Sequence, residues 1–191
     1  MARNNSRKSR RLAPMELGTF TRTWLPIHHV EALLNAHHLA IGKDLPQETH
    51  AVRDTQSAIL NACVLSLVAF LEAYVEDTFG RAARAFYSEL SDSDLTHVVE
   101  QPIRNFHNPK PNNIDRLFLL VGCARVTHDI EPHRKTNVRE SVERLVDTRH
   151  KIAHGTEPKK RWLVSRREVE RWRTHVEILC GHIEKRVLNR A

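Results

Sequence analysis

A chain of 191 residues, 40% of them hydrophobic, can bury one core of ordinary size, so a single domain with or without a tail is expected. Lys and Arg outnumber Asp and Glu by 30 to 23, and 13 histidines add positive charge on mild acidification, so RNA or DNA is the partner class the charge favours. Cys63, Cys123 and Cys180 lie far apart with no CxxC pair, which argues against a disulfide framework or zinc ribbon and suits buried thiols in a reducing cytoplasm.

Residues 1–14 (MARNNSRKSRRLAP) hold five basic and no acidic side chains. They predict a disordered basic arm ahead of a helical domain over 15–191, acting as an electrostatic tether to nucleic acid or simply solvated. No apolar h-region accompanies them, so no signal peptide is expected. A first helix is predicted from Pro26 to Ile41, closed by Gly42, with Val30, Leu33, Leu34 and His37 on its buried side. His28, His29, His37 and His38 form two adjacent pairs. Sequence neighbours point about 100° apart on a helix, so neither pair is a preformed chelate.

A long helix follows, from about Glu48 to Leu90. Its middle, AILNACVLSLVAFLEAYVED, is apolar almost all the way round and belongs at the centre of a bundle, with Gly80 able to soften it. The longest apolar run, Ala62 to Leu71, is ten residues interrupted by Ser66, too short to cross a bilayer. Glu72 lies just past it. Either the helix re-emerges into water there, or the carboxylate orients a cationic residue. SDSDLTHVVEQP predicts a capped helix stopped by Pro102, and HNPKPNN a rigid polar connection. Asn112 or Asn113 is expected to cap a short helix, IDRLFLLVG. Residues 123 to 136 read as a loop with His133, Arg134 and Lys135 as a basic cluster.

Asn137 to Gly155, NVRESVERLVDTRHKIAHG, predicts one amphipathic helix, with Asn137 and Glu140 close to a capping box and Gly155 as a left-handed terminator. Val138, Val142, Leu145, Arg149 and Ile152 share one narrow face. Four are apolar and one is arginine, a residue costly to bury unless it belongs to an ion pair, an interface or a site. After a basic loop, TEPKKRW, Ser165 and Glu168 form a full capping box with Val164 and Val169 at staple positions. Val169, Trp172, Val176, Leu179, Cys180, Ile183 and Val187 then give the last helix one apolar face. No strand-like alternation and no internal repeat is present. The expected fold is an all-α bundle of five or six helices.

Arg149 and His154 are about 140° apart round an ideal helix and about 7.5 Å apart along it, close enough to converge where the last turn relaxes. His150 and Asp147 lie on nearly the same side as His154. Two chemistries fit. In one, Arg149 binds a phosphodiester and stabilises its transition-state charge while His154 moves protons, the RNA 2′-hydroxyl being the nucleophile. In the other, His150 and His154 at i, i+4 hold zinc with Asp147, although no glutamate adjoins His150 and no third ligand is evident. The alternative to both is structural: Arg149 in an interhelical salt bridge, with Glu72 for example, and His154 as a C-terminal cap. One histidine is thin for in-line cleavage, which uses an acid and a base; a symmetric dimer would supply two.

The string RHKIAHG at a helix end resembles the Rx4–6H motif of the HEPN superfamily. The long apolar helix with LVAFLEAYVED, the NPKPNN connection, the IDRLFLLVG helix and the capped last helix resemble its layout over residues 25 to 190. The likeness is greatest to the RiboL-PSP and related group of prokaryotic defence proteins. It implies a homodimeric, metal-independent endoribonuclease without cofactor, leaving 2′,3′-cyclic phosphate and 5′-hydroxyl ends. It also implies action in toxin–antitoxin or antiphage defence, with an antitoxin or other partner protein, away from membranes. Arg149 and His154 match the motif as catalytic residues, with His150 in the polar position after the arginine and Glu72 as auxiliaries. An inactive member that only binds RNA or protein, or one whose motif is modified by nucleotide transfer, is the alternative the same resemblance leaves open.

Overall fold

The computed structural model describes residues 25–40, 50–154 and 164–188. Among these the chain forms α1 (Leu25–Ala40), α2 (His50–Phe86), α3 (Asp92–Arg104), α4 (Pro111–Leu119), α5 (Val138–Ala153) and α6 (Arg166–Leu188). No strand longer than an isolated bridge between His133 and Thr136 occurs among the described residues. The fold is all-α, as expected. The stretch 1–14, Gly42, Gly155 and the TEPKKRW loop lie outside the described residues.

A helix that is apolar on every side has to be covered on every side, and α2 is the central rod of the bundle. Leu60, Cys63, Val64, Leu67, Val68, Leu71, Val75 and Phe79 are all buried. α1, α5 and α6 pack along α2, and α3 and α4 contact it as well. By length and hydropathy the segment Asp54–Phe86 would suffice to cross a membrane, more than the ten-residue run suggested. Here about half of its apolar window is buried by packing against the other helices, while Leu65 and Phe86 stay exposed. The helix continues through Gly80 and stops at Phe86, one turn before Leu90.

Specific contacts fix how the layers meet. The Tyr74 hydroxyl donates to the Cys180 carbonyl at 3.0 Å, tying α2 to α6. Phe79 and Phe118 meet edge to face at 5.9 Å, joining α2 to α4. Arg173 reaches Glu31 at 2.7 Å between α6 and α1. All three cysteines are buried and none forms a disulfide. Burial pushes the Cys63 thiol up to about 11 and Cys180 well above its ordinary value, so both are inert packing groups.

Two further helix boundaries differ from the sequence reading. Pro102 does not stop α3. It sits inside the last turn, where its missing N–H forfeits one bond, and the Asn105 N–H still reaches the Gln101 carbonyl at 3.3 Å. α4 starts earlier than expected: Pro111 opens it and Lys110 is the N-cap, with no side-chain cap bond. Proline's fixed φ suits a first turn, so Pro111 takes the first helical position and the N-cap assigned to Asn112 or Asn113 falls to Lys110. Asn113 instead donates back to the Asn108 carbonyl at 2.9 Å. Gly122 does close the turn after α4, at φ 73°, where the Phe86 ring would lie 3.1 Å from any β-carbon.

The loop from Cys123 to Thr136 is held by a polar hub absent from the sequence reading. Asp115 accepts the Thr127 N–H and hydroxyl, each at 2.9 Å. The same carboxylate lies 3.2 Å from His128 Nε2 and 3.3 Å from Arg139 Nη2. At the start of α6 the capping box is complete: the Glu168 N–H donates to Ser165 Oγ at 3.2 Å and the Ser165 N–H to Glu168 Oε2 at 3.0 Å.

Asp115→Ala removes one acceptor from several donors and is expected to destabilise the fold by about 2–4 kcal/mol. Ser165→Ala is expected to cost about 1 kcal/mol. Urea midpoints at unchanged slope measure both.

Candidate active site

The motif helix is α5. Its N-terminus is fixed by Asn137, whose side-chain oxygen accepts the N–H groups of Arg139 and Glu140 at 3.0 and 3.3 Å. Glu140 returns to the Asn137 side-chain amide at 3.2 Å, a variant of the capping box rather than the full reciprocal form. Val138, Ser141, Val142, Leu145 and Val146 are buried against the bundle. Further along the same face Arg149 and Ile152 are only half-buried, so the stripe surfaces as the helix nears its end.

At that end the chain turns at His154, with φ −97° and ψ 3°; its N–H donates to the His150 carbonyl at 3.1 Å. Both imidazoles are exposed. Their centroids lie 4.2 Å apart at a tilt of 53°, so the two rings lean on each other. Nothing among the described residues pairs with the Arg149 guanidinium, and no ion pair joins it to Glu72. The structural alternative of an Arg149–Glu72 bridge is therefore not what the fold builds. Glu72 is half-buried on α2, where its charge acts on Glu76. Burial first, and Glu72 second, raise the Glu76 carboxyl against the lowering charge of His107.

Asp147, which shares the histidine side of the helix, is held by Lys110 Nζ at 2.6 Å. The NPKPNN connection is thereby clamped to the motif helix two residues before Arg149. This contact was not anticipated, and it occupies the carboxylate that a zinc site would have used. Among the described residues no three His, Cys, Asp or Glu side chains converge.

A second feature went unread. His175 is fully buried on α6 with neither ring nitrogen hydrogen-bonded, and its ring meets that of His133 edge-on at 5.6 Å. Burial lowers its pKa, as do the charges of His133, Arg171 and Arg144. Its spacing from Trp172 and Leu179 could have marked it as a core position.

The RiboL-PSP-HEPN family profile matches residues 29–189. The chain belongs to the RiboL-PSP-HEPN family. The match runs from within α1 to the end of α6, so the RHKIAH segment of this HEPN domain falls inside it. No curated protein and no solved structure matches the chain.

The HEPN domain carries three histidines that its fold holds against protonation. Burial is the largest cause for His37, His175 and His182, and neighbouring cationic groups, Arg166, His133 and Arg186 among them, add to it. All three folded values lie below 6.5, the value for free imidazole, so the unfolded chain binds more protons between the two. Stability is therefore full above that value and falls as pH drops through the window. Thermal melts at pH 7.5 and 5.5 should show the loss, with a shallower drop for His175→Phe.

Proposed function

We propose that this HEPN protein is a metal-independent endoribonuclease of the cytoplasm, working through Arg149 and His154 in the cleft of a homodimer. One observation carries the reading. A guanidinium without a hydrogen-bond or ion-pair partner among the described residues stands at the surfacing end of an otherwise apolar stripe, on the same helix terminus as two exposed imidazoles. An unpaired, half-buried guanidinium suits bidentate binding of a phosphodiester.

In the proposed reaction the 2′-oxygen attacks the adjacent phosphorus, a 2′-O–P bond forms and the P–O5′ bond breaks. One imidazole accepts the 2′-hydroxyl proton and another delivers a proton to the departing 5′-oxygen. Arg149 stabilises the charge that builds on the phosphorane oxygens. The products are a 2′,3′-cyclic phosphate and a 5′-hydroxyl. Since the RNA supplies the nucleophile, no metal or cofactor is required. His154 of each protomer fills one proton-transfer role across the two-fold axis, His150 supports the ring it leans on, and Glu72 acts as an auxiliary from α2. A nuclease of this kind suits toxin–antitoxin or antiphage defence, restrained by an antitoxin or other partner protein.

Purified protein incubated with total RNA in EDTA should yield new 2′,3′-cyclic phosphate and 5′-hydroxyl ends. His154→Ala is expected to slow cleavage by about 10²–10⁴-fold and Arg149→Ala by about 10²–10³-fold, with circular dichroism unchanged. Full activity in either variant rejects the assignment. Salt-dependent RNA binding without cleavage by the wild type would mark a binding module instead.

A further inference from the structure

A cavity of about 400 Å³ opens between the end of α3 and α4. Its lining is mixed: Phe106, Leu117 and Leu120 are apolar, while Asn105, Asn108 and Arg116 bring two amides and a guanidinium. Small-ligand sites have this character, running from roughly 300 to 1,000 Å³ with apolar walls and a few polar groups. Leu120 stays 49% exposed, so the fold itself leaves part of the apolar lining uncovered.

The polar wall is built before any ligand arrives. The Asn108 carbonyl accepts the Lys110 N–H at 2.8 Å and the Asn113 side-chain amide at 2.9 Å. Pro109 and Pro111 are buried on either side of Lys110, and their fixed φ stiffens the connection. A wall held in this way loses little freedom on binding. Asn105, Asn108 and Arg116 are exposed, and their side chains have no hydrogen-bond or ion-pair partner among the described residues. No carboxylate among the described residues lines the cavity. Asp115, next to Arg116 in the chain, is taken up by Thr127, His128 and Arg139.

An asparagine amide sets a donor beside an acceptor, the pattern that pairs with the edge of a base. A guanidinium suits a phosphate, and apolar side chains cover the face of a ring. The cavity is also tied to the motif. Lys110, in the connection that walls it, holds Asp147 of α5 at 2.6 Å. His154 follows Asp147 by two helical turns on the same side, about 10 Å along the axis. Resting on the endoribonuclease reading, we propose that this cavity takes one nucleotide of the RNA strand outside the scissile bond. Its base lies against Leu117 and Leu120 with an edge on Asn105 and Asn108, and its phosphate meets Arg116. The amides meet base and not backbone, so the subsite gives the enzyme a base preference.

The test uses the full chain and 2′-O-methyl dodecamers of A, C or U, which lack the nucleophile, in fluorescence anisotropy over a series of NaCl concentrations. The wild type is expected to rank the three oligomers. Asn105→Ala/Asn108→Ala should bind the preferred one roughly tenfold more weakly and level the ranking. Arg116→Gln should lower the slope of log K against log salt by about 0.7, the share of one phosphate contact on a single strand. Arg167→Gln, on α6, should leave the slope as in the wild type, and circular dichroism melts should match for all variants. A wild type without ranking, an unchanged ranking in the asparagine variant, or an unchanged slope in Arg116→Gln overturns the subsite. A nucleoside 5′-monophosphate that binds there and is not displaced by the dodecamer marks a free-nucleotide site and overturns the assignment to the strand. Cleavage of total RNA in EDTA alongside any of these results leaves the nuclease reading standing, whereas a wild type that neither binds nor cuts RNA overturns both.

Discussion

The arrangement of this protein follows from one requirement: the middle of α2 is apolar on every face and has to be hidden. A helix of 37 residues cannot be covered by one neighbour, so α1, α5 and α6 pack along it and α3 and α4 add further cover. α5 is longer than the cover it provides. Its buried residues end at Val146, and the last turns, with Arg149, Ile152 and the two histidines, extend toward solvent. The same geometry that completes the core therefore presents the end of the motif helix at the surface. A rigid, capped helix whose first half is locked into the bundle, with Asp147 clamped by Lys110, holds that end in place.

Much of this was legible because helical periodicity and capping are local. The face from Val169 to Val187, the Ser165–Glu168 box and the Asn137 cap were read from residues a few positions apart, where spacing alone decides the outcome. Boundaries at prolines were less secure. Pro102 and Pro111 each sit within a helix: Pro111 at the start has no N–H partner to lose, and Pro102 in the last turn forfeits one bond without ending the helix. The Asp115 hub was not legible at all. Its partners come from 12 and 24 residues away with no periodic signal, and only the folded chain brings Thr127 and Arg139 to one carboxylate. Of the candidate site, the Arg149–His154 spacing was visible, whereas the Lys110–Asp147 clamp and the His175 environment depend on tertiary packing.

The electrostatics around α5 and α6 have a consistent pattern. Asp115 is shared among Thr127, His128 and Arg139, Asp147 is held by Lys110, Glu168 serves the α6 cap, and Asp129 is engaged by Arg186. These four acids each have a structural partner. The chain carries a formal net charge of +7, and Arg149 has no hydrogen-bond or ion-pair partner among the described residues. A positive balance of this kind raises the local concentration of any polyanion.

That Arg149 has no partner among the described residues is physically tolerable because the side chain is half-buried rather than enclosed. Full burial of a lone guanidinium would carry a desolvation cost of several kcal/mol, whereas a partly wetted one keeps part of its hydration. An internal carboxylate would satisfy it further but would also compete with any anion arriving from outside. The fold instead spends Asp147 on Lys110, on the other side of α5, and keeps Glu72 beside Glu76 on α2. His154 is likewise steadied by the ring of His150 and not by an acid. Both side chains thus retain their donors and acceptors for a ligand. In a protein with no other reason to place an arginine on that stripe, leucine would have packed at less cost.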